Sequence, residues 1–279
     1  MMYSAGIVTY NPSPERLTVN MKALLAEPGI GMLFVVDNGS ANIDIVRKLV
    51  SGNDRIKLIE NGKNQGIAYA LNVLCRQAKC DGYGWLLTMD QDSVISEGYL
   101  SHYDRLTIHQ NAGIICCRVE DRNFGRMYNA PTEGYDMVER CITSGSLMNL
   151  SVWEELGGFD ESLFIDGVDF DYCMNLREHG YSIIRSGQAF ILHEVGHGRH
   201  IRLFGHNALV MNHNESRLYY IARNYLYIGM KHGQFPKWRK EVAKRMLIVL
   251  LFETGRFGKL RSMFRGIRHF HSGTMGPAC

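Results

Sequence analysis

Through the first 90 residues, short apolar runs alternate with amphipathic stretches. "SAGIVTY" (4–10) is rich in β-formers and ends at the turn signal "NPSP", after which 15–26 reads as a helix. "GMLFVVDNGS" (31–40) is a second apolar strand closing on Asp37, Asn38 and Gly39, and a helical stretch follows at 42–50. "RIKLIE" (55–60) is a third strand, and the polar turn "NGKNQG" opens the helix "IAYALNVLCRQA" (67–78). "YGWLLTMD" (83–90) is the fourth strand. Four strands separated by three helices predict an α/β domain with a largely parallel sheet covered on both faces.

In such sheets ligands gather beyond the carboxyl ends of the strands. Thr9-Tyr10-Asn11, Asn38 after Asp37, Asn64-Gln65-Gly66 and Asp90-Gln91-Asp92 all lie at or just past such ends. One such cluster is ordinary turn chemistry; four on one sheet edge outline a binding crevice. Further on, 112–120 reads as a strand, 120–140 as polar loop, and 169–179 as a helix with Tyr172, Cys173 and Leu176 on one face and Gly180 as its stop. Trp153 reads as a helix residue packed on the core, with a sugar-stacking platform as the functional alternative. From 215 onward the pattern is helical and aromatic-rich.

Composition changes this picture in two places. The chain carries a net +3, but 231–279 holds eleven Lys/Arg against two Asp/Glu, so that segment is +9 and the remainder −6. Basic residues flank the apolar run "MLIVLLF" (246–252), the make-up of an interfacial segment seeking anionic lipid rather than nucleic acid, which the acidic body repels. The run falls far short of the roughly 20 residues needed to cross a bilayer, and the N-terminus has no signal-peptide pattern. Seven cysteines without a CxxC pair favour a reducing compartment and argue against structural zinc.

Asp90 and Asp92, two apart just past an apolar strand, suit a hard divalent cation, Mg²⁺ or Mn²⁺, that completes its shell with phosphate oxygens. The plainer alternative is that they cap a turn. "TYN", "VVDNGS", "NQGIAYALN" and "DQDS", each after its strand, together with "GGFDESLFIDGVDFDYCMNLREHGY", resemble family-two glycosyltransferases, and "WLLTMDQDS" is most similar to the bacterial dTDP-rhamnosyltransferase branch. The resemblance implies a GT-A fold: a Rossmann-like, largely parallel central sheet flanked by helices, with a helical basic C-terminal extension. It divides the chain into a catalytic domain at 1–215, with a nucleotide-sugar half (1–95) and an acceptor half (96–215), and a membrane-associating segment at 216–279.

Residue by residue, the resemblance implies that Thr9, Tyr10, Asn11, Asp37, Asn38, Asn64, Gly66 and Asp90 bind the nucleotide sugar. Asp92, with Asp90 and His193, is then implied to hold the divalent cation. Asp169 matches the catalytic base, with Asp166 and Asp171 as competitors because Val168 stands where many relatives have a second acid. Trp153, Gly145 and Asp166 fall on the acceptor side. The processive Gln-x-x-Arg-Trp motif is absent, which implies one sugar per encounter. The implied partners are a dTDP- or UDP-sugar and a lipid-linked saccharide at the cytoplasmic face of the plasma membrane; oligomeric state is not readable.

The chemistry demands these residue types. A sugar hydroxyl is a poor nucleophile, so a carboxylate must take its proton as it attacks the anomeric carbon, and charge building on a departing diphosphate needs an offsetting cation. Three rivals stand beside this reading. "DQDSV" also fits the D-x-D-x-[TV] nucleophile motif of haloacid-dehalogenase-type phosphohydrolases, but there the motif normally ends the first strand. A dinucleotide oxidoreductase lacks its G-x-G-x-x-G after the first strand. A non-catalytic sugar-nucleotide binder would not need both the paired acids and a base. In "HEVGHGRH", His197 and His200 read as solvated loop residues.

Overall fold

The computed structural model describes residues 2–121, 125–126, 130–193, 199–203 and 206–278, with the side chains of 121, 125, 126, 193, 199–203 and 206–209 outside the description. The first half follows the predicted order: β1 (Tyr3–Thr9), α1 (Pro14–Ala26), β2 (Ile30–Asp37), α2 (Ile43–Val50), β3 (Ile56–Glu60), α3 (Ile67–Cys80) and β4 (Trp85–Asp90). These strands run parallel in the spatial order β3-β2-β1-β4. Leu33, Phe34, Val35 and Val36 are all fully buried, which is why β2 reads as an unbroken apolar run rather than an alternation. Ser13 starts α1 by accepting the Arg16 amide, with Pro14 in the first helical turn.

The second half adds β5 (Val94–Ile95), α4 (Ser101–Asp104), β6 (Ala112–Asp121), β7 (Gly125–Arg126), β8 (Tyr135–Met137), β9 (Ser146–Asn149), α5 (Leu150–Glu155), α6 (Val168–Glu178) and β10 (Ser182–His193). They extend the sheet as β4-β9-β6-β10-β5. β9 is antiparallel to both of its neighbours, β6 and β10 are parallel, and β5 is antiparallel to β10. Part of 120–140, expected to be loop, forms β7 and β8 on the flanks of β6 and β10. Tyr172, Cys173 and Leu176 are the buried face of α6, as its pattern predicts.

Contacts divide the chain into two compact units, Met1–Glu161 with Asp169–Glu194, and Ser162–Val168 with Val195–Cys279. This differs from a boundary at 215/216. The reason lies partly in the second unit, where 162–168 is bound to a helix: Asn224 Nδ2 lies 2.8, 2.7 and 2.8 Å from the carbonyls of Leu163, Ile165 and Asp166. That unit contains the hairpin β11 (Arg199–Leu203) and β12 (His206–Val210), then α7 (Glu215–Lys231), α8 (Phe235–Phe252) and α9 (Arg256–His271). Its core joins Leu218, Ala222 and Leu226 to Val242, Val249, Met263 and Phe270. Gly266 allows α9 to meet α7, since a Cβ there would clash with the Tyr219 carbonyl oxygen. Among the described residues no helix is long and apolar enough to cross a membrane, and the six described cysteines are free.

Candidate active site

The registers Thr9↔Asp37, Asp37↔Glu60 and Val8↔Asp90 bring the carboxyl ends of β1 to β4 level, so the loops that follow share one edge of the first unit. Those loops are organised by their own side chains. Asp37, 2% exposed, accepts the Thr9 hydroxyl on Oδ1 (3.1 Å) and the amides of Gly39 and Ser40 on Oδ2 (3.1 and 2.9 Å). Among the described residues one lone pair of Oδ1 stays available. Asn11, at φ 47°, accepts the Ala41 amide on its side chain and donates its own amide to Ser40 Oγ.

Asn38, 3% exposed, occupies all four of its hydrogen-bonding positions. Nδ2 donates to Asn64 Oδ1 (3.1 Å) and the Gly66 carbonyl (3.2 Å), and Oδ1 accepts from Asn61 Nδ2 and the Gln65 amide (both 3.1 Å). Asn64 in turn accepts the Gly66 amide. Gly66, at φ 92°, turns the chain into α3 in a conformation that a side chain would strain. Asn38 therefore holds the loop after β2 against the loop before α3; its expected contact with the nucleotide gives way to a positioning role, because no donor or acceptor of its side chain is spare. Tyr10, 48% exposed, fronts the crevice.

The acid turn is braced on three sides. The Asp90 amide donates to Ser144 Oγ (3.1 Å), and Asn20 Nδ2 of α1 donates to the Asp90 carbonyl (2.6 Å). Gln91 accepts the Tyr10 amide at 2.9 Å, which ties the turn to the loop after β1. The Asp90 side chain is half-buried, and that of Asp92 is 32% exposed with the Arg16 guanidinium 3.9 Å away, a loose pair. β5 pairs Val94 with Leu192 and Ile95 with Ile191, so one step further along the two chains stand Ser93 and His193. The His193 side chain lies outside the described residues, as do those of His197 and His200. Among the described residues no three His, Cys, Asp or Glu side chains are grouped so as to hold a metal ion. A pair of partly exposed carboxylates fits a hard divalent ion that draws the rest of its shell from a substrate and water.

Asp169 stands half-buried in the first turn of α6 and accepts the Phe170 amide at 3.0 Å. It shares a small cleft with Cys141, Ile142 and Thr143. The first two of these also line a cavity of about 410 Å³, together with Ser144, Arg140, Phe170 and Arg185. Arg140 lies over the Phe170 ring at 5.2 Å, and Arg185 is fixed by Asp136 at 2.6 Å. The same Ser144 that holds the Asp90 amide thus borders this cavity. Asp171 is 2% exposed, which leaves Asp169 the accessible acid of this turn.

Trp153 and Gly145, expected on the acceptor side, are packed otherwise, and Asp166 has a partner of its own. Trp153 is 8% exposed with its indole N–H on Asn72 Oδ1 (3.1 Å), so its faces are packed in the interior and offer no sugar platform. Gly145, at φ 77°, is a packing glycine: its carbonyl accepts the Tyr99 and Tyr103 hydroxyls (2.6 and 2.7 Å), and a Cβ would lie 2.8 Å from Cys117 Sγ. Asp166 belongs to the second unit, where Arg217 Nε donates to it at 2.9 Å; burial pushes its carboxyl above the ordinary value and Arg217 pulls it back. The sequence pattern already sets Gln91 in the crevice cluster, but it gives Asn20 no role. Asn20 left a signal, a polar residue on the apolar 17/21/24 face of α1.

Comparison with known proteins matches this arrangement. The model of the family described as Glycosyl transferase family 2 matches residues 4–173. The dTDP-rhamnosyl transferase RfbF of Shigella flexneri is 26% identical over 279 residues, 94% of this chain and 92% of that protein. Residues 1–349 of S. aureus TarS in complex with UDP-GlcNAc superpose with a TM-score of 0.63 at 13% identity, over 98% of this chain and 84% of that one. The mannosyltransferase PcManGT from Pyrobaculum calidifontis, in complex with GDP-Man and Mn2+, gives 0.61 at 15% identity, over 97% and 75%. These structural likenesses show the fold, a GT-A-type α/β sheet. Since the family model spans well over half of the sequence and takes in the loops after β1 to β3, the acid turn and the Asp169 turn, the chain belongs to glycosyl transferase family 2, the nucleotide-sugar-dependent glycosyltransferases.

Proposed function

We propose that this enzyme moves one rhamnose from dTDP-rhamnose to a hydroxyl of a saccharide acceptor, with inversion at the anomeric carbon. The observation that carries the donor assignment is the identity to the Shigella dTDP-rhamnosyl transferase along nearly the whole of both chains. Thr9, Tyr10, Asn11, Asn64 and Gly66 border the nucleotide, and the remaining lone pair of Asp37 Oδ1 accepts the N3–H of the pyrimidine. The cavity beside Asp169 receives the acceptor, with Phe170 offering an apolar face to sugar C–H groups.

Asp169 takes the proton of the acceptor hydroxyl while that oxygen attacks the anomeric carbon. The bond from this carbon to the diphosphate breaks, and its electron pair leaves with the nucleoside diphosphate. Asp90 and Asp92, with His193 as the family resemblance implies, would hold a Mg²⁺ or Mn²⁺ ion, which would supply charge to offset the leaving diphosphate. Ser144, Asn20 and Gln91 keep the main chain of the acid turn fixed, so little reorganisation accompanies the reaction. The acceptor is a lipid-linked saccharide of surface polysaccharide synthesis, met by the enzyme peripherally at the inner face of the plasma membrane.

Thermal shifts with dTDP-rhamnose and with UDP-glucose or UDP-galactose, with and without Mn²⁺, test the donor; a manganese-dependent shift confined to UDP sugars would replace it. Asp169→Asn should lower kcat by about 10²- to 10⁴-fold while dTDP binding is retained. Near-normal turnover in that variant would remove the mechanism.

A further inference from the structure

The second unit exposes an unusual pair of side-chain types on one helix. Phe257 and Phe264 of α9 are 83% and 59% exposed, although both are large and apolar. Arg256, Arg261, Arg265 and Arg268 are exposed between and beyond them, and 256–271 contains no acidic residue. Positions 257, 261, 264, 265 and 268 recur at helical spacing and share one face of α9, whose opposite face buries Met263, Gly266 and Phe270. Leu250 and Leu251, 42% and 51% exposed, flank the turn that leads into α9, and Arg256 Nη1 donates to the Leu250 carbonyl across it.

Beside this face lies a groove of about 610 Å³ lined by Ser216, Arg261, Ser262, Phe264, Arg265 and Arg268, with Glu215 as its one acid. Arg265 is held over the Tyr219 ring at 4.8 Å. A soluble helix gains nothing by keeping two phenylalanines in water. A partner that rewards both types of side chain must be apolar within and anionic at its surface, which describes the interface of an anionic bilayer.

We infer that the outer face of α9, with the Leu250–Leu251 end of α8, docks on anionic lipid: Phe257 and Phe264 enter the acyl boundary and the arginine groove takes a headgroup phosphate. This deepens the peripheral membrane reading given above and rests on it, while standing apart from the donor and the base.

The test uses the full chain and vesicles of phosphatidylglycerol or of phosphatidylcholine alone. The wild type should sediment with the anionic vesicles only. Phe257→Ser and Arg261→Gln should each weaken that binding by about tenfold, and Phe257→Ser with Phe264→Ser by about a hundredfold. Thermal melting and manganese-dependent dTDP binding should be unchanged in all three, so a failure here is distinct from a failure of the donor assignment. Equal sedimentation with both vesicle types, or variants that bind like the wild type, would overturn the inference. So would loss of vesicle binding to millimolar pyrophosphate in a double-Phe variant that still matches the wild type, which would mark a site for free phosphate. Concentration-dependent dimers abolished by Phe264→Ser would overturn it too, by making this face a contact between copies.

Discussion

Asn38 offers the sharpest test of how the proposed donor edge is built. Its side chain makes four hydrogen bonds of 3.1–3.2 Å while 3% exposed, and it joins the loop after β2 to Asn61, Asn64, Gln65 and Gly66. Neutral hydrogen bonds contribute about 0.5–1.5 kcal/mol each, and partners left unsatisfied cost more. Water can enter from the exposed Asn64 side and recover part of this. Asn38→Ala should therefore cost about 3 kcal/mol, read as a lower urea midpoint with an unchanged slope, and should weaken dTDP binding through the displaced loops. Asn38→Asp separates the bonds. It keeps the acceptor to Asn61 and the Gln65 amide, but sets a second acceptor against Asn64 Oδ1 and the Gly66 carbonyl. A carboxyl in that position has a folded pKa raised above its unfolded value of about 3.9. The folded state then binds more protons, so Asn38→Asp should lose stability as pH rises through the folded pKa and recover toward the wild type at pH 5. A cost below about 1 kcal/mol in both variants, or a pH-independent Asn38→Asp, would refute the clamp.

Glu253, whose side chain is wholly buried, accepts from Arg245 at 2.7 Å and Lys259 at 2.8 Å; Glu253→Gln should cost about 3–5 kcal/mol by leaving two cations without their counter-charge, visible in denaturant melts. Gly145→Ala combines a left-handed backbone with three contacts at 2.8 Å, to Cys117, Ile191 and Tyr99, and should lose about 2–5 kcal/mol or the folded product itself, read by melting temperature. His213 is held down to about 3, first by burial and then by Arg217, Arg245 and Lys259. The unfolded chain binds this proton near pH 6.5 and the folded chain does not. Stability should thus fall as pH drops from about 6.5 toward 3, and His213→Gln should flatten that limb of the urea-midpoint profile.

The elements that the pattern revealed are those whose burial is decided locally. β1 to β4 and the helices between them announce themselves because each apolar run is closed by a turn residue. β9 is only four residues long and enclosed by β4 and β6, so it shows no alternation. β10 carries Ser186 and Gly187 at a register shift between Arg185 and Phe190, which disguises a twelve-residue strand as turn. The site divides along the same line. The positions of Asp90, Asp92 and Asp169 are legible because strand ends and helix starts fix them, whatever role each proves to have. Trp153, Gly145 and Asn38 are not, because their roles depend on Asn72, on two tyrosines and on a loop 26 residues away. Arg217's pairing with Asp166 is likewise a tertiary fact that no spacing foretells.

The interlocked asparagines carry a lesson for anyone who would retarget this catalyst. Asn38, Asn61 and Asn64 depend on one another, so exchanging any one alone should be punished before a different donor is ever tried, and homologues are expected to alter them as a set. Tyr10, 48% exposed, stands at the rim, where the surface tolerates variety. Libraries seeking a new sugar nucleotide belong there, with the trio left intact.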